Sequence, residues 1–119
     1  MVKLTFALRR APHLSREEFQ RYWREQHAPL VAKNKDALEI RRYVQLHTLE
    51  TEHNDTLRAS RGAPEAYDGV AEIWLDSLDW PQTEAAAAAG LELLEDERRF
   101  IDLANSPIFV GEEHVVFEV

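Results

Sequence analysis

His27 is the residue whose surroundings are best suited to proton-transfer chemistry. It falls in a helical pattern four residues after Trp23 and four before Val31, so the three side chains stack on one face. Pro29 lacks an amide hydrogen and disfavours helical angles at Ala28, so we expect the helix to bend or break beside the imidazole. An imidazole with a pKa of about 6.5, half-buried among aromatic groups, suits acid or base catalysis near neutral pH. The alternative is a core histidine bonded to a carbonyl freed by the proline.

Further candidates lie on predicted strands. Glu72 has apolar neighbours that would raise the pKa of its carboxyl, so it is a second candidate acid or base. An ion pair or a solvated sheet face is the alternative for Glu72. Tyr43, His47 and Trp74 are candidate substrate-binding residues on the same exposed sheet face, although a strand tyrosine more often serves packing. Trp23 is the aromatic residue expected to touch a ligand, because it stacks beside His27, but it also fits a simple core position.

The sequence lacks the patterns that hold metals and common cofactors. It contains no cysteine, which excludes disulfides, thiolate ligands and cysteine nucleophiles. No two of the five histidines stand at metal-ligand spacing on one element, and the four glycines are not clustered as in phosphate-binding loops. There is also no nucleophile-elbow motif. We therefore predict no metal and no cofactor.

The composition restricts the classes of partner. The chain has 119 residues, the size of a single domain spanning 1–119, and a formal charge of −8. Such a negative charge, without a run of basic residues to offset it, disfavours binding to nucleic acid and to anionic membranes. The apolar part of the N-terminus is too short for a signal peptide, and no segment approaches the ~20 apolar residues of a membrane span. We expect a cytoplasmic protein.

Hydrophobic periodicity predicts four strands and two helices. Ser15 and Glu18 form a capping box that starts the first helix, whose apolar stripe includes His27. Pro81 marks the start of the second helix, which we expect to reach about Ala104. The predicted strands cover residues 2–9, 41–49, 70–75 and 108–119. Residues 50–66 are polar and aperiodic and are expected to form a disordered or lid-like loop.

The order β-α-β-β-α-β predicts an α+β fold of the ferredoxin-like, split β-α-β type. Both helices would cover one face of an antiparallel sheet. No element remains for the other face, and an uncovered, partly apolar sheet face usually meets another copy. We therefore expect a homodimer in which two sheets enclose a barrel.

The segment Ser15–Val31 resembles the signature helix of the EthD-like family, with a capping Ser, a Phe, a Tyr-Trp pair and then His-Ala-Pro-Leu-Val. Further similarities follow in the family's order: Arg42-Tyr43-Val44, the strand from Tyr67-Asp68-Gly69 to Glu72, and Asp96-Glu97 followed by Phe100 and Asp102. The resemblance implies a dimeric α+β barrel with a ligand cavity. Superfamily members include polyketide cyclases and decarboxylases, a methylmuconolactone methylisomerase, fungal enzymes acting on anthraquinone-type polyketides, proteins of an ether-degrading system, and haem proteins whose motif is not matched here. The methylisomerase uses a helix histidine and a strand cysteine, and only the histidine has a counterpart, at His27.

Three functions are compatible with these features. The first is a cofactor-independent enzyme acting on a small aromatic or polyketide-like molecule, as a cyclase, dehydratase, decarboxylase or isomerase. Its catalytic residues would be His27 and Glu72, with Trp23, Tyr43, His47 and Trp74 in substrate binding. The second is a ligand-binding or accessory protein of an oxidative catabolic pathway. The third is a cofactor-free monooxygenase.

Overall fold

The computed structural model describes all residues from Met1 to Val119. Its four-stranded antiparallel sheet consists of β1 (Val2–Leu8), β2 (Arg42–His47), β3 (Gly69–Leu75) and β4 (Ile108–Gly111), in the order β2-β3-β1-β4. This confirms the predicted α+β, ferredoxin-like fold. The long central strands β1 and β3 pair over their whole lengths, and β2 and β4 form the edges.

The first helix begins with the predicted capping box but does not break at the proline. Helix α1 (Arg16–Tyr22) passes into a π-helical turn (Trp23–His27) and then into α2 (Ala28–Lys33). Ala28 keeps helical angles, with φ −55° and ψ −43°, so the prediction that Pro29 moves Ala28 out of helical geometry is wrong. The π-helical turn ends two residues before Pro29, and in it the Ala28 amide bonds the Trp23 carbonyl five residues earlier.

The segment expected to be a loop contains a helix. Helix α3 (Glu52–Arg61) is capped at its start by the Thr51 hydroxyl and ends at Gly62, whose φ of 59° lies in the left-handed region. None of its side chains is buried. A helix without a buried face has no apolar stripe, so hydrophobic periodicity could not reveal it.

The second long helix and the last strand are both shorter than predicted. Helix α4 (Glu84–Glu97) is capped by the Thr83 hydroxyl, which accepts a hydrogen bond from the Ala86 amide. After α4 the chain turns, passes through a short 3₁₀ helix (Leu103–Asn105) and enters β4. Residues 112–119 leave the sheet and are exposed. No helix is both long enough and apolar enough to cross a bilayer.

The strand register separates two sets of side chains. Tyr43 lies opposite Ile73, whereas Trp74 lies opposite Arg42 and Glu72 opposite Val44. Successive side chains alternate between faces, so Tyr43 and His47 point to the helices while Glu72 and Trp74 lie on the opposite face, which we call the outer face. The prediction that Tyr43, His47, Glu72 and Trp74 share one face is therefore wrong. The error arose because the alternation of side chains along β2 was placed one residue out of step with that along β3.

The core lies between the helix side of the sheet and the helices. Its largest fully buried side chains are Leu8 from β1, Phe19 from α1, Trp23 from the π-helical turn, and Phe100 after α4. The Phe19 ring packs against both Trp23 and Phe100, at centroid distances of 5.6 and 5.5 Å. These contacts hold the π-helical turn against the sheet.

A buried carboxylate joins three segments at one end of the sheet. Asp68, just before β3, is 2% exposed and accepts hydrogen bonds from the Arg10 amide at 2.8 Å, the Arg10 guanidinium at 2.6 Å and Arg16 Nε at 2.9 Å. Burial by itself raises the pKa of Asp68, but these three donors outweigh it and hold the pKa below its usual value. The carboxylate therefore fixes the start of α1 relative to β1 and β3.

Candidate active site

A cavity of about 800 Å³ lies between the helix side of the sheet and the helices. Of the 25 residues that line it, 18 are hydrophobic, so a ligand of matching chemistry would be largely apolar. The sheet contributes side chains such as Leu4, Phe6 and Ile73, and α4 contributes the small residues Ala86 and Gly90. The volume lies within the range of roughly 300–1,000 Å³ that is usual for small-molecule sites.

His27 lies on the wall of this cavity and forms a dyad with Asp96 of α4. His27 Nδ1 is 2.7 Å from Asp96 Oδ2, and the other carboxylate oxygen accepts a 2.6 Å hydrogen bond from the Tyr22 hydroxyl. An ionised carboxylate only accepts, so Nδ1 carries the hydrogen and Nε2 keeps a free lone pair. Nε2 itself forms no hydrogen bond. It is not one of the fully buried polar atoms, because every such side-chain nitrogen or oxygen in the structure has a hydrogen-bond partner. Nε2 therefore keeps accessible surface, which faces the cavity.

The His27 ring is neutral at physiological pH. Burial lowers the pKa of His27, and the hydrogen bond and charge of Asp96 raise it without cancelling the effect of burial. A neutral imidazole with Nε2 unprotonated is the form that accepts a proton. Asp96 would then stabilise the imidazolium that forms, because the charges are adjacent.

The π-helical turn is anchored to β2 by Gln45. The Trp23 carbonyl accepts from the Ala28 amide, as the π pattern requires, and also from Gln45 Nε2 at 3.0 Å. The same Gln45 amide group donates to the Tyr43 hydroxyl at 2.8 Å. Its oxygen lies 2.8 Å from His47 Nε2. This network fixes the turn that carries His27, and π turns of this kind are common at functional sites.

Glu97 is a second titratable group on the cavity wall. Its carboxyl forms no hydrogen bond and keeps accessible surface in the cavity wall. Burial, with a contribution from the charge of Asp96, raises the pKa of Glu97 to about 7. Protonated and ionised forms are therefore both populated near neutral pH.

Tyr43 supplies a phenol to the same cavity. Burial raises the pKa of Tyr43, the hydrogen bond from Gln45 lowers it, and the nearby Glu97 carboxyl adds to the rise. The phenol is therefore neutral near pH 7. Because Gln45 donates to the hydroxyl oxygen, the Tyr43 hydrogen is free to be donated to a ligand.

The structure brings together three of the six predicted site residues. His27, Trp23 and Tyr43 line the cavity, whereas His47 stacks on the far side of the Trp23 ring at a centroid distance of 4.5 Å. Gly69 makes room for that indole, because a Cβ at Gly69 would lie 2.4 Å from a Trp23 ring carbon.

The remaining two predicted residues lie on the outer face. Glu72 forms a 3.0 Å ion pair with Lys3 there. Trp74 donates from its indole nitrogen to Glu113, and the Lys3 ammonium and the Arg42 guanidinium lie over its ring. Neither Glu72 nor Trp74 shares the cavity with His27.

The sequence analysis did not select Asp96 or Glu97 as site residues. It named them only among the residues that resemble the EthD-like family. The signal was present in the helical spacing. Glu97 follows Leu93 by four residues and precedes Phe100 by three, so it interrupts an otherwise apolar stripe. A carboxyl in such a position is rare without a partner or a function. No cluster of three or more His, Asp or Glu side chains is placed to hold a metal ion.

Comparison with known proteins identifies the family. The sequence model of the EthD domain family matches residues 11–104. These residues contain the π-helical turn, the cavity-lining strands β2 and β3, and the His27–Asp96 dyad. The chain belongs to the EthD domain family. The match leaves out all of β1 and all of β4 in this EthD domain. A search of curated protein sequences gave no match.

Solved structures share the fold of this EthD domain at low sequence identity. An EthD family protein from Bacillus halodurans is 19% identical with a TM-score of 0.62, covering 96% of this chain and 99% of its own. An EthD-like protein from Ralstonia eutropha is 19% identical with a TM-score of 0.55, covering 98% of this chain and 94% of its own. HapK from Hahella chejuensis is 11% identical with a TM-score of 0.58, covering 100% of this chain and 98% of its own. At these identities the similarity concerns the fold.

Proposed function

We propose that this EthD domain is an enzyme that moves protons on a small, largely apolar carbonyl compound of aromatic or polyketide type, without a cofactor. The observation that carries the proposal is the His27–Asp96 dyad, whose free Nε2 faces an apolar cavity. A neutral imidazole held by a carboxylate is a general base, and an apolar wall strengthens its electrostatic interactions with a bound ligand. The groups needed for proton transfer are all side chains of this chain.

The proposed elementary step is removal of a proton from the carbon next to a ketone. That proton goes to His27 Nε2, and the electron pair of the broken C–H bond becomes an enolate. The Tyr43 hydroxyl donates to the carbonyl oxygen, where the negative charge develops. Trp23 lines the cavity beside His27, but it is 1% exposed and its indole is stacked on His47, so its role is to support the wall.

Deuterium exchange tests this function. The purified protein is incubated in D₂O with β-tetralone, a small aromatic ketone, and loss of the proton signal next to the carbonyl is followed by NMR. We expect exchange that saturates with ketone concentration and exceeds that of an equal concentration of free imidazole. Binding of the ketone without exchange would instead favour the accessory, ligand-binding function. Oxygen consumption with an anthrone would favour a monooxygenase.

We also propose that the domain works as a homodimer formed through the outer face. That face exposes apolar side chains that nothing in the chain covers: Leu46 is 59% exposed and Phe109 is 56% exposed. The apolar residues Val115, Val116 and Phe117 beyond the sheet are also exposed. An uncovered sheet face that exposes large apolar side chains is usually buried against a partner. In such a dimer Glu72 and Trp74 would lie at the interface.

A charge placed on the outer face should separate the two copies. We expect the wild-type protein to have the mass of a dimer by size exclusion with light scattering, and Phe109→Glu to shift toward the monomer mass. Leu57→Glu is the matched control, because Leu57 is equally exposed, at 56%, but lies on α3 away from the sheet. A wild-type protein that is monomeric at micromolar concentration would contradict the dimer.

A further inference from the structure

The two neighbouring carboxyl groups at the end of α4 have different surroundings. Both oxygens of Asp96 accept hydrogen bonds, from Tyr22 and from His27, so Asp96 is fully engaged in holding the imidazole. Glu97 has no hydrogen-bond partner and faces the cavity. An unpartnered carboxyl in an apolar wall is energetically costly, and such groups are found where chemistry requires them.

We propose that Glu97 is a second proton-transfer residue, a general acid that works with the base His27 so that the pocket dehydrates β-hydroxy ketones. This inference rests on the proposed function and narrows it to a reaction and a substrate class. Two proton-transfer groups on one cavity wall allow a proton to be removed at one carbon while a hydroxyl leaves from the next. A single base would account for exchange of the proton next to the ketone, but not for loss of the hydroxyl.

The contacts support this pairing of roles. His27 and Glu97 both line the cavity. The two carboxyl groups that follow each other on α4 have different roles: Asp96, whose Oδ2 lies 2.7 Å from His27 Nδ1, holds the base, and Glu97 has no hydrogen-bond partner. Tyr43 lies close enough to Glu97 for the carboxyl to influence its phenol. The mostly apolar cavity is therefore lined by a base, an acid and a hydrogen-bond donor for the ketone oxygen.

The reaction balances with these residues alone. The C–H bond next to the ketone breaks, its proton goes to His27 Nε2, and its electron pair forms the new C=C bond. The C–O bond on the adjacent carbon breaks, and the oxygen leaves with the bonding pair and takes the Glu97 proton, which gives water. The enzyme is left with imidazolium and carboxylate, and a proton passing from His27 to Glu97 through water restores both groups.

The protonation states near neutral pH match these roles. The pKa of Glu97, raised by burial to about 7, keeps a large share of the acid form. Burial keeps His27 in its neutral form. The titratable groups whose charges interact with Glu97 are Asp96 on its own helix and Tyr43 on β2, and His27 on the π-helical turn lines the same cavity. Elimination should decline as the pH rises through the pKa of Glu97, because the ionised form has no proton to donate.

The test uses the aldol adduct of benzaldehyde and acetone, a small aromatic β-hydroxy ketone that loses water to give benzylideneacetone. Elimination is followed by ultraviolet absorbance, and exchange next to the ketone is followed in D₂O by NMR. In Glu97→Gln we expect elimination to fall by at least about 100-fold and exchange by less than about tenfold, because only elimination needs the acid. Glu95→Gln, an exposed acid on the same helix, should leave both rates unchanged.

The outcomes separate this inference from the proposed function. If Glu97→Gln eliminates within about threefold of the wild-type rate, or the wild-type protein exchanges without eliminating, Glu97 is not the acid and the proposed function still stands. If the wild-type protein does neither, both proposals fail. Carboxyl ¹³C NMR of glutamate-labelled protein gives an independent check. One resonance should titrate near pH 7 and be missing in Glu97→Gln, and the absence of such a resonance would overturn the inference.

Discussion

His27→Asn is expected to lower the exchange of the β-tetralone proton by about 100- to 10,000-fold, the usual contribution of a positioned general base. Asparagine is close in size to the lost ring but has no basic nitrogen. The dyad partner Asp96 would keep its hydrogen bond from Tyr22, at 2.6 Å in the wild type, so the helix contact is preserved in part. The measurement is the saturating exchange rate by NMR, compared with the free-solution rate.

Asp96→Asn is the companion variant, because it changes the orientation and tautomer of His27 without removing the base. An asparagine amide can donate to Nδ1, which would place the ring hydrogen on Nε2 and block proton acceptance. We expect exchange to fall nearly as far as in His27→Asn. The double variant should show little further loss, because residues that act as one unit are not additive. Independent, multiplicative losses would show that the dyad is not the catalytic unit.

The order of the four strands and the two long helical segments could be predicted from the sequence because each depends on local signals. The Ser15 capping box and the alternation of residues 2–9 are encoded in neighbouring residues, and both appear in the structure. Helix α3 was missed because none of its side chains is buried, so its caps at Thr51 and Gly62 were its only signal. Local patterns indicate packing faces, and a fully exposed helix has none.

The site could be predicted only in part, because its geometry depends on residues far apart in the chain. His27 was found from its place on an apolar stripe, but its partner Asp96 is 69 residues away. The relative phase of β2 and β3 decides which side chains face the cavity, and no single strand encodes it. This is why Tyr43 was placed with Trp74, although their side chains lie on opposite faces of the sheet.

Asp68→Asn is expected to have the largest effect on stability, at about 3–5 kcal/mol in the free energy of unfolding, because it removes the negative partner of two guanidinium groups. The carboxylate is 2% exposed and joins Arg10, Arg16 and the start of β3. Asparagine keeps one acceptor oxygen but places an amide donor beside positive charge. Urea unfolding followed by tryptophan fluorescence at pH 7 measures the loss.

The difference between wild type and Asp68→Asn should shrink in acid. The pKa of Asp68 is lower in the folded state than the value of 3.8 for the free side chain, so below about pH 4 the unfolded chain binds the proton more readily. The stability contributed by the carboxylate is therefore complete above that pH and is lost as the pH falls through the folded-state pKa.

Asp76→Asn is the matched control, because Asp76 pairs with Arg41 at 2.6 Å but both side chains are more than half exposed. Water and salt screen such a pair, so little change is expected there. Equal losses from both variants would mean that burial does not govern the strength of the Asp68 contact.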